Sequence, residues 1–299
     1  LAFTDGLARA QGSTDQMHPR GSMSLTNIAY STTLTWGNPL MKDLAEQQIT
    51  PLFGEEPVEL GLQSQEQALE RLRADDEYPE MFAEAFPNAE GEPVTIDHVT
   101  RAIAAFERAL LSFNSPYDRY TYGGDEDALT DSQKRGKDLF FSERFECFHC
   151  HGGFNFSDSV EHSGTVFEET KFHNNGLYNI DGNGFYPPGN RGVFEITQDI
   201  QDMGRFKAPT LRNIELTAPY MHDGSIETLE EVVEHYERGG RLIEDGEFAG
   251  DGRDSPYKSE LVTGFDATEQ EKQDLVNFLK SLTDREFVEN PEHANPFEQ

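Results

Sequence analysis

Two cysteines and a histidine carry the sharpest chemistry in this sequence. Cys147 and Cys150 are its only cysteines, and His151 follows directly, in the stretch ECFHCHGG. Two thiols three residues apart can reach the two vinyl carbons on one edge of a haem. The adjacent imidazole then reaches the iron from the same turn of chain. Cys-x-x-Cys-His is accordingly the attachment signature of a c-type haem. A Cys-x-x-Cys pair also suits zinc or a thiol–disulfide couple. Zinc would want two more ligands, and His149 and His173 complete only a poor Cys2His2 set. The histidine that follows the second thiol favours haem. Candidates for a second axial ligand lie downstream: His162, His173, His222, His235, Met203, Met221 and Tyr236. Tyr236 falls on the face Leu229, Val232, Val233, Tyr236, and pattern alone makes it a helix-core residue.

The elements that must position these groups read as helices joined by long loops. Residues 1–36 are polar and rich in Gly, Ser and Thr, an irregular segment that something else must hold, such as a cofactor. A short helix is predicted over 39–48 and a strongly helical stretch over 64–76. Residues 96–113 place Val99, Ile103, Phe106, Leu110 and Phe113 on one helical face. The breaker-rich stretch 114–128 is the best domain boundary. Thr130 with Gln133 forms a capping-box pattern ahead of the haem motif. Residues 152–206 are Gly- and Asn-rich and irregular. A helix over 226–240 is closed by glycines, and Thr268 with Glu271 opens another over 267–284. There are no internal repeats. The reading is all-α, with long irregular loops.

Length and charge bound the rest. The chain has 299 residues, which suggests two domains. Its 22 Phe and 10 Tyr supply bulk for a core. The 56 acidic residues outnumber 24 basic ones, for a net charge of −32. Such a surface offers no basic footprint for nucleic acid or an anionic membrane. It suits a cationic partner, although a solvated acidic coat is the simpler reading. No apolar run is long enough to span a membrane, and no signal peptide is visible. The chain opens at Leu1 rather than Met, which reads as a processed or truncated end. A c-type haem is attached outside the bacterial cytoplasm, so an export signal and a periplasmic location are expected.

The block FKAPTLRNIELTAPYMHDGSIETLEEVVEHY (206–236), downstream of Cys-x-x-Cys-His, resembles the bacterial di-haem cytochrome c peroxidase superfamily. HNNGLYNIDGNGFYPPGN (173–190) and HPRGSMSLTNIAYSTTLTWGNP (18–39) resemble its MauG-like branch, and within it the methanobactin-type di-haem enzymes. The resemblance implies two cytochrome c-like haem domains: a first, peroxidatic one over 1–122 and a second over 123–299. In that family the first Cys-x-x-Cys-His shortly precedes a segment like LAFTDGLARAQG, with which this sequence begins. The expectation is therefore a truncated chain with one haem c attached, two in the full protein, and no peroxide turnover by the chain alone.

The same resemblance implies roles for individual residues. Trp36, the only tryptophan, matches the residue that relays electrons between the haems. Gln47, Pro51 and Glu59 match the distal pocket of the first haem, with Glu59 as the acid–base group. Two extra residues between Pro51 and Glu59 leave Glu55 and Glu56 as competitors. A carboxylate in that role needs its pKa raised by burial. Tyr236 stands fourteen residues after His222, where the family places the second haem's distal ligand. Classical peroxidases carry methionine there and the MauG-like branch carries tyrosine. The carbonyls of Thr217 and Pro219 match two ligands of an interdomain calcium. The usual asparagine donor is replaced by Gly21, after Arg20. Arg212 is expected beside a haem propionate, with a surface arginine as the simple alternative, and His18 is expected to be structural, although it could approach the first haem. The implied function uses hydrogen peroxide to oxidise an aromatic residue, tryptophan to kynurenine, on a periplasmic partner, a copper-binding one by resemblance. Two oxidising equivalents would be shared by both irons. The alternatives are a cytochrome c peroxidase fed by a small cytochrome or cupredoxin, and a single-haem electron carrier.

Overall fold

The computed structural model describes residues 2–166 and 170–295. Leu1, three residues of the irregular 152–206 stretch and the last four residues of the second expected domain lie outside the described residues. Among the described residues the regular structure is helical apart from two very short strands, with long loops between. Three capping boxes start the helices that carry the C-terminal part. Thr130 opens α7 (Asp131–Phe140), its hydroxyl accepting from the Gln133 amide while the Gln133 side chain accepts from the Thr130 N–H. Thr228 with Glu231 opens α9 (Leu229–Arg238) in the same way, and Thr268 with Glu271 opens α10 (Glu269–Lys280). Each box satisfies two otherwise orphaned N–H groups. Gly239, at φ 79°, closes α9 in the left-handed conformation that glycine takes without a Cβ clash.

Helix α7 packs on α10, and α10 on α9. The α7/α10 contact is close enough to need Gly136. A Cβ there would fall 1.9 Å from the Asp274 carbonyl oxygen. Gly136→Ala is therefore expected to destabilise by about 1–3 kcal/mol through overpacking, more than any gain in helix propensity returns. Chemical denaturation of the variant checks this, and an unchanged midpoint would refute the contact. Phe140, Phe156, Phe278 and Tyr117 form an aromatic core beside this crossing.

The N-terminal part holds α1 (Leu44–Gln47), α2 (Ile49–Phe53), α3 (Gln65–Arg73), α4 (Tyr78–Ala85) and α5 (Ile96–Ala109). Helix α4 was not expected from the sequence. Helix α5 is shorter than predicted, and its inward face only partly follows the predicted stripe: Val99 packs on Leu69, Phe82 and Val94, and Leu110, just past the helix end, is fully buried. Its buried residues are His98, Thr100, Ala104 and Glu107, while Phe106 is 47% exposed and Phe113, beyond the helix end, 40% exposed. Ala104 packs with Ile28, Leu34 and Leu44. The buried Glu107 accepts from the Gln48 amide at 2.9 Å, so a polar pair shares the inward face with apolar residues.

The 114–128 stretch is not a free linker. It contains α6 (Pro116–Thr121), capped by Ser115 and Asp118, and it places Tyr117 in the C-terminal core. A short antiparallel pair, β1 (Leu242–Ile243) with β2 (Gly250–Asp251), follows α9. Two four-residue helices, α8 (Phe194–Thr197) before α9 and α11 (Arg285–Val288) after α10, complete the set. The irregular 1–36 segment is held by the chain itself. Gly21 donates to the His222 carbonyl at 2.9 Å and Thr32 to that of Ser159 at 3.2 Å. The Asn27 amide reaches Asn155 Oδ1 at 3.0 Å, and the Trp36 carbonyl accepts from Lys207 at 2.8 Å.

Candidate haem site

The haem motif sits on a tight turn after α7. Glu146 takes a left-handed conformation, Cys147–His149 form one 3₁₀ turn, and the His151 N–H returns to the Cys147 carbonyl at 3.0 Å. This brings Cys147, Cys150 and His151 together in the wall of a cavity of about 190 Å³. Its remaining walls include Phe140, Phe145, Phe206, Val233, Phe265 and Leu279. Tyr236 lines the same cavity, projecting from α9. Leu229, Val232 and Val233 also line it, so the face that reads as helix core from the sequence is cavity wall.

The histidine tautomer is set by its neighbour. His151 Nδ1 lies 3.1 Å from the Phe156 carbonyl, which makes Nδ1 the donor and leaves the Nε2 lone pair free for a metal. Burial lowers the His151 pKa and favours the neutral ring that a metal requires. Burial pushes the Tyr236 phenol up to about 12, with the Asn175 side chain partly opposing it. Its proton would leave on binding iron. Burial likewise pushes the Cys147 thiol up to about 12, which suits a covalent partner better than a reactive thiolate. His222 Nε2, buried at the cavity wall, has no hydrogen-bond partner. An apolar cavity lined by two thiols, a neutral imidazole, a phenol and an orphaned nitrogen fits a covalently attached porphyrin.

Of the rival ligands, His173, Met221 and His222 line the cavity with Tyr236, and the others lie away from it. His149 turns outward to Glu146 at 2.8 Å and Glu143 at 3.4 Å. A ring nitrogen of His173 lies 2.7 Å from Asp158, and those two with the Cys150 sulfur come within 4.8 Å of one another. Cys147 is outside that group, so no Cys2His2 zinc site forms among the described residues. His162 is exposed, Met203 is buried away from the cavity, and His235 bonds the Asn175 carbonyl at 3.1 Å. Met221 lines the cavity, but its sulfur accepts from Asn175 at 3.3 Å.

Arg212 is not where the sequence reading places it. It is 1% exposed and does not line the cavity. Its guanidinium forms a two-pronged pair with Asp118 of α6, at 2.8 and 2.9 Å, and also donates to the Phe154 carbonyl. Those donors are committed within the protein, which makes Arg212 a structural residue. The cation that the sequence reading missed is Lys207. It is buried beside Trp36, lines the haem cavity, and donates to the Thr33 carbonyl at 2.7 Å. Burial pushes it down to about 8. Its only sequence signal was a lysine inside the otherwise uncharged FKAPTL run.

The other expected residues are partly gathered. Trp36 borders both the haem cavity and a smaller one of about 80 Å³, and its Nε1 donates to the Gly21 carbonyl at 2.8 Å. Thr217 and Pro219 line the smaller cavity with Asp5 and Ser22, and Thr4 Oγ1 there is buried without a partner. Oxygen donors in such a pocket suit a hard cation. At Gly21 a Cβ would meet the Ala8 carbonyl at 3.0 Å, so a longer donor side chain there would press on that backbone. Gln47 lies four residues before Pro51, and the Leu60 N–H bonds the Pro51 carbonyl at 2.9 Å, which brings the backbone next to Glu59 back to Pro51; none of the three lines either of these cavities. Glu59 is half-buried and its carboxyl is raised by that burial, whereas Glu55 and Glu56 are exposed. His18 is tied locally, accepting from the Arg20 N–H at 3.2 Å, and burial lowers its pKa.

Fold and site together define a mostly helical c-type haem protein. The chain belongs to the di-haem cytochrome c peroxidase/MauG family. Residues 1–127 match the family model described as di-haem cytochrome c peroxidase. The methylamine utilization protein MauG of Methylorubrum extorquens is 33% identical over 94% of this chain and 69% of its own length. The cytochrome-c peroxidase IdrP1 of a Pseudomonas species is 33% identical over 95% of this chain and 73% of its own. A crystal structure of a MauG-like protein associated with microbial copper homeostasis superposes with a TM-score of 0.95 at 47% identity. It covers 99% of this chain and 84% of that one. The chain is thus a haem peroxidase-type oxidoreductase with haem c as its cofactor. No helix among the described residues is long and apolar enough to cross a membrane.

Proposed function

We propose that the full protein carries two haems c, one in each of two domains meeting near residue 122, and uses hydrogen peroxide to oxidise an aromatic residue of a periplasmic partner protein. The preferred outcome is conversion of tryptophan to kynurenine on a copper-binding partner. The observation that carries this reading is Tyr236 in the wall of the cavity that holds His151. An oxygen ligand stabilises oxidised iron, where a thioether favours ferrous iron and stepwise reduction by a small donor. The copper link is supported by the 47% identical MauG-like structure. When bound, the haems supply the iron at which peroxide is reduced and oxidising equivalents are stored. The chain's own part is to hold, orient and move protons. His151 Nε2 and the Tyr236 oxygen would hold the second iron, and the apolar walls would exclude water. Trp36 bridges toward the first haem. Glu59 takes a proton from one peroxide oxygen and returns it to the other. Calcium in the Thr217/Pro219 cavity would brace Trp36, and the acidic surface would favour a cationic docking face on the partner.

Peroxide added to the full-length, haem-loaded enzyme with the copper-binding partner should produce the mass change of kynurenine in the partner. Rapid peroxide turnover with a reduced cytochrome or cupredoxin, and no partner modification, would instead establish the conventional peroxidase. Relatives of that kind exist: the cytochrome c551 peroxidase of Pseudomonas aeruginosa is 32% identical over 77% of this chain and 61% of its own length. Glu59→Gln is expected to lower the rate of haem oxidation by peroxide about 10²- to 10⁴-fold, the usual worth of a positioned acid–base group. In the unaltered enzyme that rate should fall as pH drops through the raised Glu59 pKa, because only the carboxylate accepts the proton. Stopped-flow absorbance across pH tests both, and a pH-independent rate would remove Glu59 from the role.

A further inference from the structure

A run of aromatic rings leaves the wall of the haem cavity and reaches a phenol paired with a carboxylate, Tyr178, beyond which only the phenylalanine ring of Phe248 (6.1 Å), with no proton to lose, stands next to it among the described residues. Phe206 and His222 both line the cavity and stack at 3.7 Å with 13° between planes. Trp36 meets His222 edge-on at 6.5 Å. Tyr186 lies 6.3 Å from His222, and Tyr178 follows 5.4 Å from Tyr186. Both tyrosines are buried, at 1% and 7% exposure. Tyr186 is seated against Gly204, where a Cβ would come within 2.1 Å of its ring.

The two phenols differ in what receives their proton. Tyr186 donates to Asn174 Oδ1 at 2.8 Å, and an amide oxygen is too weak a base to keep a proton. Tyr178 donates to Asp223 Oδ2 at 2.7 Å. Burial pushes Asp223 up, but His222, Tyr178 and Ser225 outweigh it and hold its carboxyl below the ordinary range. Burial and Asp223 raise the Tyr178 phenol, so it rests protonated beside an ionised acceptor. The Arg241 guanidinium, 6.0 Å over the Tyr178 ring, penalises a positively charged ring but not a neutral radical. Electron and proton must therefore leave Tyr178 together.

We propose that Tyr178, hydrogen-bonded to Asp223, is a redox-active tyrosine that holds an oxidising equivalent passed outward from the haem cavity by way of His222 and Tyr186. The inference rests on the proposed function for its oxidant, the haem centre oxidised by hydrogen peroxide. In the step, Tyr178 loses one electron to that centre, which is reduced by one. The Oη–H bond breaks, an O–H bond forms on Asp223 Oδ2, and a neutral phenoxyl radical remains. One electron returned by a partner's aromatic side chain or by a reductant restores the phenol and recovers the proton from Asp223.

The test is freeze-quench electron paramagnetic resonance on the full-length, haem-loaded enzyme mixed with peroxide and no partner. A tyrosyl signal that narrows with ring-deuterated tyrosine is expected. Tyr178→Phe should abolish it while haem oxidation by peroxide continues. Asp223→Asn should lower its yield about 100-fold, the lower end of what a positioned proton acceptor contributes. This second variant keeps the test open if Tyr178→Phe folds poorly. A tyrosyl signal that survives both substitutions overturns the assignment, as does haem oxidation with no tyrosyl signal; the proposed function stands in either case. Failure of peroxide to oxidise the haems removes both.

Discussion

Tyr236→Met is expected to leave the helical fold intact and to cost partner oxidation about 100-fold or more. Methionine is a good helix former and fills apolar gaps readily, so α9 and the Leu229 and Val233 contacts should survive. The iron would then lose an oxygen ligand for a thioether, which raises its potential. Axial ligands set haem potentials over roughly 0.8 V. A shift of only about 0.1–0.2 V changes a one-electron equilibrium by roughly 10²–10³, at about 59 mV per tenfold. Oxidising equivalents would then rest less readily on the second haem and reach a partner less often. Potentiometric titration of the second haem and mass spectrometry of the partner read the two effects separately. An unchanged potential would remove Tyr236 as an iron ligand. A raised potential with unimpaired partner oxidation would keep the ligand and discard the mechanism.

Asp118→Ala should be the most destabilising single substitution considered, at about 3–5 kcal/mol, because it strands a buried guanidinium. Arg212 is 1% exposed, and among the described residues its charge is met by Asp118, with the Phe154 carbonyl and the Phe113 face (4.9 Å) in support. At roughly 2–4 °C per kcal/mol for a chain of this size or somewhat smaller, the melting temperature should fall by about 10 °C. Removing both charges, as Asp118→Leu with Arg212→Met, should recover much of the loss, since an apolar pair leaves nothing unsatisfied. Calorimetry of the three proteins measures this directly. If Arg212 instead served a haem carboxylate, Asp118→Ala would be mild and Arg212→Met would shift the haem potential.

The parts of the fold that were legible are those whose signals are local. Thr130 with Gln133 and Thr268 with Glu271 sit three residues apart, and both boxes form as the sequence predicts. The glycines after α9 end it where expected. Misreadings occur where a long-range partner overrides the local pattern. The breaker-rich 114–128 stretch holds α6 because Tyr117 packs on Phe156 and Phe278 and Asp118 pairs with Arg212. The stripe Val99, Ile103, Phe106, Leu110, Phe113 holds only in part: Val99 packs on the core and Leu110 is buried, but Phe106 and Phe113 are exposed and Glu107 turns inward to Gln48, fifty-nine residues earlier.

The sequence by itself determined the haem chemistry, because Cys147, Cys150 and His151 lie on one turn and need only that turn to face one porphyrin edge. It also determined the strong acidity of the molecule, which composition alone fixes. Tertiary structure decided what stands around that edge. It turned the core-like face of α9 into cavity wall and brought Tyr236 to it. It buried Lys207 beside Trp36, gave Arg212 to Asp118 rather than to a cofactor, and placed Tyr178 against Asp223. Each of these depends on loops without periodicity returning the chain over tens of residues. Such pairings are settled by burial and by the need to satisfy every buried polar group, and neither leaves a periodic mark in sequence.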